Sequence, residues 1–482
     1  MIRYFHFILI LFAGIILCQS CRKPLICPDD CQLAWADAEI GVLFHFDMPV
    51  FDSTYQWRDW GTHPAPGVFC PDSLDTDQWL RVAQALGARY AILVAKHCSG
   101  FSLWPTEAHE YSVKNCPWKN GKGDIVADFI ASCQKYDIKP GIYASTTANG
   151  YLHVDNPGLV KEGSPVNQKE YNAIVVRQLT ELWSHYGPLF EIWFDGGVLT
   201  PREGGTDILS LVRKLQPDAV IFQGPYGHNH LIRWVGNEEG VAPDPCWATA
   251  DSTTNSDGMA VIRGLNGRSD APFWCPGEAD FTLRYNSSYQ GGWFWKAGED
   301  EKMFSVEELL HKYETSVGRN TNMLLGIVID DRGRVPKADF KRVSELGEAI
   351  RSRYSDPVGS VSGNKPTLRI PFPEPVEIDH LILQEDISKG ERVLSWHVDA
   401  TLDDGTTLTI CKGESIGHKR ICTFPSVKVR SLRFSADSCK ARPRIRDFSA
   451  FTAAAATNPA SGGILPGDES SSHTYADLSG RE

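Results

Sequence analysis

Residues 189–197 read LFEIWFDGG. A run of apolar and aromatic residues that closes on a carboxylate and two glycines is the pattern of a parallel strand buried on both faces, delivering an acid at its C-terminal end. Asp195 is that acid. A carboxylate is seldom buried without a partner, so one placed where a strand opens into a loop is either an ion-pair member or a reactive group. Gly196 and Gly197 clear space beside it and allow backbone angles that other residues resist.

Around this strand the chain repeats one unit. Further strands are read at 40–46 (IGVLFHF), 89–97 (RYAILVAKH), 139–145 (KPGIYAS), 219–224 (AVIFQG), 232–237 (IRWVGN), 273–278 (FWCPGE) and 322–329 (NMLLGIVI). Helices are predicted at 75–86, 123–136, 168–186 and 207–215; in the first, Asp75 is the cap, Gln78 completes a capping box and Gly87 ends it. Roughly eight strands alternating with helices over 33–350 predict an α/β fold, a TIM-like (β/α) barrel. A doubly wound sheet is the alternative, but no GxGxxG follows the first strand. The small, polar stretch at 351–365 reads as a boundary. Beyond it, short alternating strands at 367–370, 378–384 and 427–434 predict a small antiparallel β-sandwich over 361–452. Residues 453–482, rich in Ala, Ser, Gly and Asp, read as a disordered tail.

The first 21 residues read as a secretory leader: Arg3 precedes an apolar run at 7–17 that is too short to span a bilayer. Cys18 and Cys21 follow at once, and Cys21 would serve a lipid anchor if the chain is a bacterial lipoprotein. Export is expected either way, to the outside, the periplasm or the cell surface, with no integral membrane span. Among the 13 cysteines, no CxxC pair sits near His at zinc spacing, so neither metal nor cofactor is expected. Disulfides are permitted by that compartment, but their pairing is not legible. A net charge of -12 repels nucleic acid and anionic membrane. A neutral ligand suits the 14 Trp better, since an indole face covers the apolar side of a sugar ring, although most Trp residues of any fold are core.

In a parallel barrel the strand ends converge on one face. The residues gathered there are His45, Lys96, His97, Tyr143, Asp195, Gln223, Glu238 and Glu278. Asp195 and Glu238 form the pair that glycosidic cleavage needs: an ionised carboxylate that attacks the anomeric carbon, and a protonated carboxyl that serves the leaving oxygen and later activates water. Gly236 and Gly240 suggest a flexible lead-in to Glu238. Each residue also has a plainer reading: Glu238 and Glu239 as a solvated loop pair, His97 as a hydrogen-bonded core histidine, Glu278 as a salt-bridge residue.

Five motifs in order, HF at 45–46, DWG at 59–61, KHCSGFSLWP at 96–105, WFDGG at 193–197 and RWVGNE at 233–238, resemble the family 29 α-L-fucosidases over about residues 33–350. The resemblance implies a retaining mechanism, with Asp195 matching the nucleophile and Glu238 matching the acid/base of the branch that cuts α-1,3 and α-1,4 fucose. It further implies that His45, Trp60, His97, Tyr143 and Trp193 shape a fucose pocket, with Trp293 as another wall. Three positions depart from the family pattern: Cys98 and Ser99 stand where a second His and an acid are usual, and Asp59 replaces a Glu before Trp60. The expected activity is that of an exported retaining α-L-fucosidase acting on fucosylated oligosaccharides or glycoconjugates. A fucosylated-glycan-binding protein on a degenerate barrel, and a retaining glycosidase for another sugar, are the alternatives.

Overall fold

The computed structural model describes residues 24–452 except 226, 229, 255–259 and 264–265. The leader with its Cys21 and the C-terminal tail lie outside the described residues. Eight parallel strands close a barrel: β1 Ile40–His45, β2 Tyr90–Lys96, β3 Lys139–Ala144, β4 Glu191–Trp193, β5 Val220–Phe222, β6 Leu231–Trp234, β7 Gly277–Thr282 and β8 Thr321–Val328. Each pairs with its sequence neighbours, and β8 returns to β1 with Ile40 opposite Met323 and His45 opposite Val328.

The strands read as continuous apolar runs because both faces are covered. Leu43, Tyr90, Ile92, Val94, Tyr143, Trp193 and Leu324 fill the inside of the barrel. Their neighbours Val42, Phe44, Ala91, Leu93, Ile192 and Leu325 point outward into the layer of helices. That layer comprises α2 Thr76–Leu86, α3 Ile125–Tyr136, α4 Gln168–Ser184, α5 Ile208–Leu215, α6 Val306–Ser316 and α7 Lys337–Tyr354, with α1 Asp30–Ala36 preceding them in the chain. No described helix is long and apolar enough to cross a membrane.

Helix α1, which carries no strong periodic signal, closes the N-terminal end of the barrel. Gln32 Nε2 donates to Leu231 O and Trp274 O, Trp35 Nε1 donates to Glu191 Oε2 over 2.9 Å, and Asn322 Nδ2 donates to Trp35 O. In α2, Asp75 caps Gln78 N and Gly87 takes a left-handed φ of 93° as expected. The Gln78 side chain, however, makes no capping box. It bonds both Val335 O and Val335 N, tying α2 to the segment before α7.

The seventh strand departs from the sequence reading. Phe273–Trp274 belongs to a small antiparallel sheet with Thr249–Thr254, and the chain enters the barrel only after Pro276, at Gly277. The sequence GEADFT hides this strand because Glu278 and Asp280 face the barrel interior while Ala279 and Phe281 face outward.

Six antiparallel strands follow α7: β9 Gly359–Gly363, β10 Thr367–Glu385, β11 Val393–Leu402, β12 Thr407–Gly413, β13 Arg420–Cys439 and β14 Ile445–Phe451, in the order β9-β14-β10-β13-β11-β12. The short strands read from sequence are segments of the long β10 and β13, whose ladder is interrupted at Pro371/Val376 and Ile378/His380. Such bulges bend a strand, and side chains from both halves share one core around Trp396, Leu432 and Phe448. This unit is fastened to the barrel. Arg420 pairs with Asp244 through two bonds of 2.7 Å, buried Glu391 accepts from Ala248 N and Asn320 Nδ2, and Ser415 Oγ donates to Cys246 O.

Candidate active site

Asp195 lies two residues past β4, half-buried at the C-terminal end of the barrel. Tyr143 OH donates to Asp195 Oδ2 over 2.9 Å, Thr147 Oγ1 donates to Asp195 O over 2.8 Å, and Gly196 N donates to Gln223 Oε1 over 3.0 Å. Gly196 and Gly197 take φ of 68° and 84°, a left-handed turn that glycine adopts without strain. Burial raises the Asp195 carboxyl above the ordinary range; the Tyr143 hydrogen bond opposes that, and the charge of Glu238 adds to it. Tyr143 is itself backed by Trp193, stacked 5.2 Å away, and Trp193 by Phe222 at 4.1 Å. Trp193 thus supports the pocket wall from behind.

Glu238 follows β6 and is exposed, with its Oε2 accepting from Trp293 Nε1 over 3.0 Å. Its loop is tied down at Glu239. Gly236 and Gly240 take φ of 94° and 70°, Glu239 N donates to Asn237 Oδ1, and Glu239 bridges to Phe281. The two glycines serve a tight turn; a Cβ at Gly240 would strike the Phe281 ring. Trp293 lies over His45 at 4.7 Å and against Gly326 of β8, where a Cβ would come within 2.4 Å of Trp293 Cζ3.

His45 ends β1 and His97 follows β2, with ring centroids 5.9 Å apart. His97 stacks on Tyr143 at 5.7 Å, and Phe294 meets both imidazoles edge-on at 5.5 and 5.1 Å. Burial holds His45 well below its ordinary range and His97 down to about 4. Both are therefore neutral near pH 7, each with one donor and one acceptor nitrogen, which suits sugar hydroxyls.

Beneath them sits a buried polar layer. Ser99 Oγ donates to Asp47 Oδ1 over 2.6 Å, and Asp47 Oδ2 lies 3.9 Å from His97 Nδ1. Burial pushes Asp47 up to about 7 and Lys96 down to about 8. Ser99 also accepts from Phe101 N, so this departure from the family pattern anchors the loop after β2. Cys98, a second departure, is half-buried with its thiol toward Asp195.

Trp60 stands in the long loop after β1, half-exposed, its ring 5.9 Å from Trp57 and 5.7 Å from His153. Asp59 beside it is exposed. Neighbouring Arg58 covers Trp57 at 4.1 Å and pairs with Asp155 at 3.2 Å.

Glu278 lies elsewhere. It is the second residue of β7, fully buried near the N-terminal ends of the strands, and accepts from Tyr90 OH over 2.7 Å and Trp193 Nε1 over 2.9 Å. Burial raises both it and neighbouring Glu191. With the strand shifted to start at Gly277, its carboxyl belongs to the sealed floor of the barrel instead of the strand end. Asp280, two residues on, is the acid of this strand that approaches the site. It accepts from Trp234 Nε1 over 2.7 Å, and burial, followed by the charge of Glu238, raises it well above the ordinary range. Only the alternation of GEADFT, read in the correct register, could have singled it out; Phe294 and Gly326 carry no comparable signal.

With this geometry established, comparison with known proteins is informative. The family model described as Alpha-L-fucosidase matches residues 31–353. Alpha-L-fucosidase 1 of Arabidopsis thaliana is 30% identical, with 92% of each chain covered. A crystal structure from Bacteroides thetaiotaomicron, of a protein assigned as an α-L-fucosidase, superposes with a TM-score of 0.83 at 36% identity, covering 89% of this chain and 99% of that one. A glycoside hydrolase 29 family member from a rumen bacterium gives 0.76 at 29% identity, covering 92% and 80%.

Proposed function

Because this chain belongs to the α-L-fucosidase family, glycoside hydrolase family 29, we propose that Asp195 is its nucleophile and Glu238 its acid/base in the retaining hydrolysis of terminal α-linked L-fucose. The observation that carries the reading is that Asp195, held by Tyr143, and Glu238, held by Trp293, stand on one rim, where His45 lies 6.4 Å from the Tyr143 ring and 4.7 Å from that of Trp293. Asp195 Oδ attacks the anomeric carbon as Glu238 gives its proton to the departing oxygen. Glu238 then takes a proton from water, which displaces Asp195 and restores the α configuration. Neutral His45 and His97 grip ring hydroxyls, and Trp293 covers an apolar edge of the sugar. Trp60 and Trp57 shape the outer rim where the remainder of the glycan leaves.

The motif RWVGNE, with Glu238 directly after Asn237, supports action on α-1,3 and α-1,4 linkages. The sequence of residues 1–21 supports export, with Cys21 as a lipid-anchor position. The glycan-binding alternative has no support from the family assignment.

Asp195→Ala should abolish turnover of an aryl α-L-fucoside, and azide should rescue Asp195→Gly with a fucosyl azide of inverted anomeric form. Unimpaired cleavage by Asp195→Ala would overturn the assignment. A panel of α-1,2, α-1,3, α-1,4 and α-1,6 fucosylated oligosaccharides, scored by free fucose, tests the linkage; release confined to the α-1,2 or α-1,6 members would exclude the proposed branch.

A further inference from the structure

One atomic arrangement at the barrel mouth joins two residues of the proposed hydrolysis to a thiol that it does not use. A ring nitrogen of His97, Cys98 Sγ and a carboxylate oxygen of Asp195 all lie within 4.8 Å of one another, and all three side chains are half-buried, open to the mouth. We propose that these three residues bind a soft divalent metal ion of the zinc class, and that the bound ion inhibits the enzyme by occupying Asp195. The inhibitory consequence rests on the reading of Asp195 as nucleophile; the binding itself does not.

Thiolate, imidazole and carboxylate together form a zinc donor set, and the thiolate selects zinc or cadmium over magnesium and calcium. A tetrahedral ion with bonds of about 2.0–2.3 Å holds its ligand atoms roughly 3.5 Å apart, so the three groups need to close by about an ångström. Three protein ligands leave a fourth position for water facing the mouth. Asp47 Oδ2 lies 3.9 Å from His97 Nδ1, too far for a hydrogen bond, with Oδ1 held by Ser99 Oγ, so an imidazole that closes on it as the ion binds would keep its second nitrogen for the ion. Cys98 O accepts from Gly150 N over 2.7 Å, fixing the main chain from which the thiol projects. On binding, the Cys98 S–H bond breaks, its proton passes to solvent, and a sulfur–metal bond forms with no change of oxidation state.

Asp29, Cys31 and His230 make a second group of comparable spacing near the N-terminal end of the barrel. There Asp29 already pairs with His230 over 2.8 Å, so two of the three ligand atoms are taken up by each other, and this group serves as the internal control.

The test is a zinc chloride titration of aryl α-L-fucoside turnover, together with the cadmium–thiolate absorption band, on the full chain and on Cys98→Ser, Cys98→Ala and Cys31→Ser. Zinc should inhibit the wild type and Cys31→Ser, reversibly by EDTA, while magnesium does nothing. Measured against its own zinc-free turnover, each Cys98 variant should need at least ~10-fold more zinc for the same inhibition and lose the cadmium band contributed by that thiolate. Equal zinc sensitivity in the Cys98 variants, or loss of sensitivity in Cys31→Ser alone, would overturn the proposal. If no protein turns over the fucoside, the catalytic reading falls, while an unchanged cadmium band in the Cys98 variants still overturns the metal site.

Discussion

The hydroxyl of Tyr143 donates to Asp195 Oδ2 across 2.9 Å, joining the end of β3 to the turn after β4 at the point where the proposed attack begins. Burial favours the protonated form of Asp195 and this bond favours the ionised form, so the bond helps keep the nucleophile charged. Tyr143→Phe preserves the stack on Trp193 and His97 but removes the donor. A hydrogen bond to a charged group is worth about 1.5–3 kcal/mol, so kcat/KM should fall roughly 10-fold or more. The carboxyl also becomes easier to protonate, and the acidic limb of the pH profile should move to higher pH. An unmoved acidic limb would show that the bond does not act on Asp195.

Trp293 holds Glu238 by its indole N–H while its ring covers His45. Trp293→Phe keeps a ring and loses the donor. Since a poor leaving group depends on protonation and an activated aryl group does not, kcat on a fucosylated oligosaccharide should drop about 10-fold more than on a nitrophenyl fucoside. Equal losses on both substrates would make Trp293 a wall and nothing more.

Gly326 is where β8 lets Trp293 lie flat. A Cβ there would come within 2.4 Å of the indole, and a ring in a packed wall cannot yield that much without moving. Gly326→Ala should therefore raise KM and lower kcat while the barrel stays folded by circular dichroism. Kinetics like those of the wild type would show that the ring relocates at no functional cost.

Asp47 carries a pH signature in stability. Burial raises its folded-state value from 3.8 to about 7, so between those limits the folded chain holds a proton that the unfolded chain has released. Stability must fall as pH rises through that window, by up to ~4 kcal/mol for a shift of this size. Asp47→Asn keeps an acceptor for Ser99 and lacks the titration. Denaturant unfolding of both proteins should show the variant gaining on the wild type from about pH 4 to 7; His97 and Lys96, present in both, largely cancel in the difference. A constant difference across the window would refute the buried, protonated Asp47.

The C-terminal sheet is fastened to the barrel by the two-pronged Arg420–Asp244 pair. Asp244 is part-exposed and Arg420 mostly buried, so Asp244→Ala should cost about 1–3 kcal/mol, largely from the guanidinium left without its partner. If the sheet braces the barrel, that loss should appear in the single cooperative transition of the whole chain. Separation into two transitions would indicate that the barrel stands without it.

The barrel was legible because a parallel strand covered on both faces must be apolar throughout, and residues 40–46, 89–97 and 322–329 are nearly so. The place of Asp195 at the end of a strand was legible for a related reason: an acid followed by two glycines where such a run closes is conspicuous, even with Glu191 inside it. Pairings across the chain were beyond a linear reading. Trp293 and Glu238 are 55 residues apart and Tyr143 and Asp195 are 52 apart, and no periodicity links them. The seventh strand shows the limit most clearly. Its interior face carries Glu278 and Asp280, a pattern that imitates a surface strand, and a shift of a few residues in its start decides which carboxyl reaches the mouth and which seals the floor. Local sequence sets which residues can lie in a strand, whereas the register against neighbouring strands sets the height of each side chain in the barrel, and that register is decided by long-range packing.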